Sequence, residues 1–245
     1  MRSGVNEPCT QASRFCLCWL IICTLLISVA CAVPQSRAAE KHYEQGIRLR
    51  KTGDLRGALR EFQQAEKLAP KNANVYYELA KTLEDMGVWH DAAQAYQKSL
   101  ELKPNEAVVH HGYGFVLEEL GDMHGALQQH QEAVRLQPNN AVFLVPLGNI
   151  QEAVGKMEDA RSSYERALQI KPDYSFALVN LGAWYDKQGN TKGAIDFFRQ
   201  AVKADPSQDY ARKRLAELEA LRGQSAQPSN EPTGAISEPA SVEKP

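Results

Sequence analysis

The chain has 245 residues, of which 43% are hydrophobic and 24% are charged. This balance is typical of a folded soluble protein and argues against an intrinsically disordered chain or one embedded throughout in a membrane. The formal net charge of −2 and the pI near 6.3 lack the basic excess of nucleic-acid-binding proteins, so no nucleic-acid partner is expected.

Residues 1–38 are predicted to direct export. A basic start precedes residues 15–33, which contain no charged side chain, and small residues then offer cleavage after Ala32 or Ala38, as in a secretory signal peptide. Two alternatives stay open, because residues 15–33 could remain as an uncleaved membrane anchor or Cys31 could carry a lipid. Every alternative makes the rest of the chain periplasmic, secreted or anchored facing the extracytoplasmic side, with membrane contact only through residues 15–33 or Cys31.

Prolines recur along the rest of the chain at intervals of 34 residues, namely Pro70, Pro104, Pro138, Pro172 and Pro206. A fixed period of this length indicates one supersecondary unit that is copied several times. With each proline at position 32, the five repeats are residues 39–72, 73–106, 107–140, 141–174 and 175–208.

Other positions of the repeat keep to one residue size. Position 8 is always small, with Gly46, Ala80, Gly114, Gly148 and Gly182, and position 20 is always alanine. Position 24 is always a ring, with Phe62, Tyr96, His130, Tyr164 and Phe198. Small residues that alternate with rings indicate two antiparallel helices whose backbones approach closely.

Position 15 is glycine in every repeat, with Gly53, Gly87, Gly121, Gly155 and Gly189. Glycine readily adopts the left-handed conformation that ends a helix, so these residues predict the turn between the two helices of each repeat. Ten helices are therefore expected. Pro146 lies at position 6 of the fourth repeat, where it predicts a local kink or a late helix start.

The residues that recur at these repeat positions resemble the tetratricopeptide repeat, whose pattern has Leu-Gly, Tyr, Ala, Phe and Pro at the same offsets. The fullest match is the fifth repeat, with Leu181, Gly182, Tyr185, Ala194, Phe198, Ala201 and Pro206. The resemblance covers residues 39–208. It implies an all-α fold, a right-handed superhelical solenoid of antiparallel helix pairs, and a function in binding other proteins.

Two segments follow the repeats. Residues 209–222 continue an apolar stripe at helical spacing and predict a helix that caps the last repeat. Residues 223–245 have no apolar periodicity and are rich in Ser, Pro, Glu and Ala, so a disordered tail is expected there.

In the family that the chain resembles, the first helices line a concave groove, and positions 2, 5, 9, 12 and 13 face a bound peptide. The groove residues that this implies are Tyr43, Ile47, Tyr77, Lys81, Glu84, His111, Phe115, Glu118, Asn149, Glu152 and Asp186. Aromatic and apolar residues run there beside acidic residues at position 12. The expected partner is therefore a protein that contributes an extended or helical segment with basic and apolar residues. The alternative is that the acids are ordinary solvated helix surface.

The family's carboxylate clamp, which grips acidic C-terminal tails, needs Lys and Asn in the first repeat, Asn in the second, and Lys and Arg in the third. The residues at those positions are Tyr43 and Ile47, then Glu78, then Val108 and Gly112. Binding of acidic tails is therefore not expected.

No catalytic motif occurs in the sequence, so neither enzyme activity nor a cofactor is expected. The third repeat concentrates His110, His111, His124 and His130, but without the convergent spacing of a zinc site, so we expect core and surface histidines rather than a metal centre. The predicted function is a non-catalytic adaptor or assembly scaffold outside the cytoplasm. A self-assembling structural repeat protein is the alternative, and a histidine-based metal-binding protein is a more distant one.

Overall fold

A computed structural model describes residues 36–225, and the secondary structure of this part is entirely helical. In chain order its helices are α1 (residues 36–51), α2 (Leu55–Leu68), α3 (Ala73–Asp85), α4 (Trp89–Leu102), α5 (Ala107–Glu119), α6 (Met123–Leu136), α7 (Ala141–Ala153), α8 (Met157–Ile170), α9 (Ser175–Lys187), α10 (Thr191–Ala204) and α11 (Asp209–Ser225). The all-α prediction is confirmed. Helices α3, α5, α7 and α9 begin at the first residue of repeats two to five.

The described helices fall into two compact units, divided between Ser163 and Tyr164. In the first unit α3 packs against α4 and α5 against α6, so the two helices of each repeat are partners. A short turn joins these partners, which therefore run antiparallel. Helices α2, α4 and α6 also contact the first helix of the next repeat. In the second unit α10 packs against both α9 and α11.

The small residues at positions 8 and 20 and the rings at position 24 form the core. All five position-20 alanines and all five position-24 rings are completely buried. The position-8 glycines of repeats one, three and five lie directly against these rings: a β-carbon on Gly46 would come within 2.6 Å of Phe62, and one on Gly182 within 2.8 Å of Phe198. In these repeats the close approach of the helix to the ring therefore favours glycine at position 8, whereas the second repeat accommodates the buried Ala80 there.

All five position-15 glycines have positive φ, between 72° and 84°, as the sequence predicts. At the end of α3 the amide of Gly87 donates to the carbonyl of Glu84, and the amide of Val88 donates to that of Leu83, both at 2.9 Å. This is the Schellman arrangement, which satisfies carbonyls that the helix end would leave without donors.

Helix α7 contains Pro146 within its length, so the predicted late start is wrong. The helix begins at Ala141, and the side chain of Asn140 caps it by accepting from the amide of Val142 at 3.1 Å. Pro146 lies just past the first turn, where the missing amide removes only one bond of the helical ladder.

Helix α11 extends three residues beyond the predicted end, so residues 223–225 belong to the helix rather than to a tail. Ala211 and Leu218 are buried and join the core cluster of α9 and α10. No helix among residues 36–225 is long and apolar enough to cross a bilayer. The predictions for residues 1–35 and 226–245 lie outside the described residues.

Candidate binding groove on the first helices

Two adjoining pockets lie on the first helices of repeats one to three. The pocket between α1, α3 and α5 has a volume of about 230 Å³, and Tyr43, Tyr77 and Val108 contribute to its lining. The pocket between α3 and α5 has a volume of about 330 Å³ and also contains Tyr77 and Val108. Six predicted groove residues line these pockets: Tyr43, Tyr77, Lys81, Glu84, His111 and Phe115.

The other predicted groove residues do not line either pocket. Ile47 packs against the core cluster of the first unit, and Glu118 lies half-buried beside His130. Asn149 is exposed and Glu152 half-buried on α7, whereas Asp186 lies on α9 in the second unit.

The aromatic side chains of the groove are held by rings around them. Tyr43 packs edge-on against the buried Phe62, with ring centroids 6.0 Å apart, and Phe115 packs in the same way on Trp89 at 6.1 Å. His111 lies 5.2 Å from the ring of Phe143. These contacts fix the rings before a partner binds. The aromatic side chains of the groove therefore lose little conformational entropy on binding.

Glu84 faces both the groove and the core. It accepts a hydrogen bond from the hydroxyl of the fully buried Tyr96, and Lys81 lies 3.6 Å from its other carboxylate oxygen. Burial and the negative charge of Glu84 raise the pKa of Tyr96. Glu84 is thus a partner of the core ring as well as part of the groove lining.

Glu118 has the same relationship to His130, with 2.7 Å between Oε1 and Nε2. The other ring nitrogen of His130 lies 3.4 Å from Nδ1 of His111. Burial, then the neighbouring His130 and Lys81, lower the pKa of His111 to about 4, although Glu118 acts in the opposite direction. His111 is therefore neutral at neutral pH.

Arg50 occupies position 12 of the first repeat, where the next four repeats have acids. Its guanidinium lies 3.1 Å from Glu78 and 3.1 Å from Asp85. Within residues 36–225, Glu106 and Glu119 are exposed at the two ends of α5, and their carboxylates have no hydrogen bond or ion pair. The carboxylates available to a partner therefore include that of Glu106, which the sequence prediction did not select.

The sequence analysis included position 2 among the groove-facing positions but selected no residue there. Val108 and Val142 in the first unit are 44% and 52% exposed, and Phe176 and Tyr210 in the second unit are 56% and 55% exposed. The sequence contained a signal for this surface, because apolar residues recur at position 2 of repeats three to five. Tyr210 continues the series at the place where a sixth repeat would have its position 2. An apolar residue that recurs at a solvent-exposed position indicates a binding surface.

Three of the four histidines of the third repeat, His110, His111 and His130, have protein partners. Nδ1 of His110 lies 2.8 Å from the amide oxygen of Gln129, and its Nε2 lies 2.8 Å from the carbonyl of Pro104. Among the described residues no group of three or more His, Cys, Asp or Glu side chains is arranged to hold a metal ion.

Sequence models of the tetratricopeptide repeat family match residues 46–87, 77–141 and 140–207. The protein MamA has a similar structure, with 25% identity, a TM-score of 0.63, and coverage of 69% of this chain and 92% of MamA. YrrB, described as a TPR protein with an unusual peptide-binding site, is 21% identical with a TM-score of 0.61, covering 71% of this chain and 89% of YrrB. PilF of Pseudomonas aeruginosa is 19% identical with a TM-score of 0.67, covering 79% of this chain and 89% of PilF. Comparison with curated proteins gave no match.

Proposed function

The chain belongs to the tetratricopeptide repeat family, and we propose on this basis that it is a non-catalytic adaptor or assembly scaffold that acts outside the cytoplasm. Repeats of this family are generally protein-interaction modules, and YrrB is described as having a peptide-binding site. The observation that carries the proposal is the pair of adjoining pockets on α1, α3 and α5, which share Tyr77 and the exposed Val108.

The chemistry of the groove favours a segment with apolar and basic side chains. Val108 and Phe115 on α5 offer exposed apolar surface to large apolar side chains. The unpaired carboxylates of Glu106 and Glu119 precede and follow these two residues on the chain, so they would attract Lys or Arg on either side of the apolar contact. His111 adds no positive charge that would oppose this, because its pKa is about 4.

The uncharged run at residues 15–33 supports action outside the cytoplasm. Fractionation of cells that produce the full chain tests this part of the proposal separately. Recovery of the chain in the cytoplasm, with residues 1–38 still attached, would contradict it.

The groove itself is tested by crosslinked capture of partners with the full chain, followed by affinity measurement with the captured protein. Val108→Asp combined with Phe115→Asp puts charge into the apolar contact and should weaken binding by about tenfold or more. Glu119→Lys should weaken it further in low salt, because it opposes basic residues of the partner.

Val88→Asp is the matched control. Val88 is also an exposed apolar residue, 37% exposed, but it precedes α4 at the position where Asp54 and Asp122 cap the second helices of repeats one and three. This variant should fold and bind normally. Binding that survives the Val108 and Phe115 substitutions would refute the groove, and sedimentation of the full chain into long oligomers would favour the self-assembling alternative.

A further inference from the structure

A separate pocket of about 360 Å³ lies between α2, α3 and α4 in the first unit. None of the residues that line it belongs to the two groove pockets. Its walls come mainly from the second helices of repeats one and two, whereas the first helices form the groove. Leu59, Leu79 and Leu83 supply apolar surface to it, and the volume falls in the range of pockets that hold a ligand or a large side chain.

Two lining residues of the pocket lie at positions where the second repeat departs from the first and third. In repeats one and three the side chain at position 4 is a histidine bonded to position 23: Nδ1 of His42 lies 2.7 Å from Glu61, and Nδ1 of His110 lies 2.8 Å from Gln129. In the second repeat position 23 is Ala95, and Tyr76 at position 4 keeps only the contact with the proline carbonyl, donating to that of Pro70 as His110 contacts that of Pro104. Ala95 is too short to make the bridge, and both Ala95 and Tyr76 line the open pocket.

Two carboxylates of this pocket have no partner among the described residues. Glu66 lies on α2 and Asp91 on α4, so they stand on two different walls, and neither makes a hydrogen bond or an ion pair within residues 36–225. The groove acids Glu84 and Glu118 are instead bonded to buried rings. The one cation that lines the pocket, Lys98, lies 2.8 Å from Glu101.

We propose that this pocket is a second protein-binding site, which takes one large apolar side chain from a partner segment that carries Lys or Arg on both sides of it. The three leucines of the pocket would contact the apolar side chain of the partner. The carboxylates of Glu66 on α2 and Asp91 on α4 are complementary to the flanking basic residues. The chain's own residues 226–245 do not fit, because they carry Glu231, Glu238 and Glu243 against a single Lys244. A chain with this site and the groove would connect two partners, and the site does not depend on the groove.

The test uses the full chain with leucine methyl groups labelled for NMR. The probe is a short synthetic peptide with one leucine flanked by lysines on both sides, and the control peptide has glutamates in place of the lysines. The lysine peptide should shift the methyl signals of Leu59, Leu79 and Leu83 and bind about tenfold more tightly than the glutamate peptide, since each of the two surface ion pairs contributes up to ~1 kcal/mol.

Two variants complete the test. Ala95→Gln introduces the residue that the third repeat has at this position, so it should fold and abolish these shifts by filling the pocket. Glu66→Lys combined with Asp91→Lys should reverse the preference, so that the glutamate peptide binds more tightly.

Glu119→Lys serves as the control, because it alters the groove and should leave the leucine shifts unchanged. Shifts that persist in Ala95→Gln, equal binding of the two peptides, or no shift of the three leucines would overturn the proposal. None of these results would bear on the groove, whose variants are read out separately.

Discussion

Nε2 of the completely buried His130 lies 2.7 Å from Oε1 of Glu118, which stands twelve residues before it at position 12 of the same repeat. Tyr96 and Glu84 repeat this relationship in the second repeat. In the fifth repeat the ring is Phe198, which has no polar atom, and Asp186 is bonded to Arg214 of α11 instead. In the second and third repeats the acid at position 12 is therefore a partner of the buried position-24 ring.

Replacement of Glu118 should cost stability, because it leaves a nitrogen of the buried His130 without a partner. We expect Glu118→Ala to lower the free energy of unfolding by about 1–3 kcal/mol. Denaturant unfolding of the full chain measures this. Glu119→Ala is the neighbouring control, and since Glu119 is exposed and unpaired, it should change stability by less than about 0.5 kcal/mol. Equal effects of the two variants would contradict the core role of Glu118.

A side chain at the turn glycines should lower stability, because their φ is positive. Gly121 has φ of 82° and open space around it, so Gly121→Ala should cost about 1–2 kcal/mol from backbone strain alone. Gly121→Asn should cost less, because asparagine adopts this conformation more readily. Gly223→Ala, inside helix α11 and also in open space, should leave the melting temperature unchanged or slightly raised.

His111 should make stability depend on pH. Its pKa is about 4 in the folded chain and 6.5 ordinarily, so the unfolded chain binds the proton more readily. The contribution of the neutral imidazole is therefore complete above about pH 6.5 and is lost as the pH falls toward 4. Unfolding free energies measured across this range should decline, and His111→Phe should flatten the decline. An NMR titration that places the midpoint of His111 near 6.5 would contradict this.

Arg214 should hold α11 to α9. Its Nε and Nη2 atoms lie 2.6 Å and 3.1 Å from the two oxygens of Asp186, a bidentate pair between different helices. Arg214→Ala should lower stability by ~1 kcal/mol and speed amide hydrogen exchange in α11. Arg212→Ala is the control, because Arg212 pairs with Asp209 of its own helix. If both variants exchange at the same rate, the interhelical pair does not hold α11.

The sequence predicted the helices well because the features that define them are local and repeated. Glycine at position 15 and proline at position 32 limit the backbone wherever they occur, so the turns and helix ends could be read directly. The late helix start predicted from Pro146 was wrong because a single proline past the first turn costs one hydrogen bond, which the capped and buried α7 can accommodate. The local kink, the other predicted effect of Pro146, stays a prediction.

The groove was predicted less completely. Six of the predicted residues line the two pockets, since the repeat register places them on one face of α1, α3 and α5. The acids were read as a surface strip, but whether a half-buried carboxylate faces solvent or a buried ring depends on packing against the second helix. The sequence contained both members of each pair, twelve residues apart, without showing that they meet.

By itself the sequence determined the repeat, its helix boundaries and the family, because a 34-residue period of size-restricted positions permits few folds. Only the tertiary structure decided which carboxylates are available and where pockets open. Those outcomes depend on distances between side chains of different helices, such as Glu84 to Tyr96, and on the space left where Ala95 replaces a bridging side chain. Periodicity sets the direction of a side chain along its helix, whereas its partner is set by the neighbouring helix.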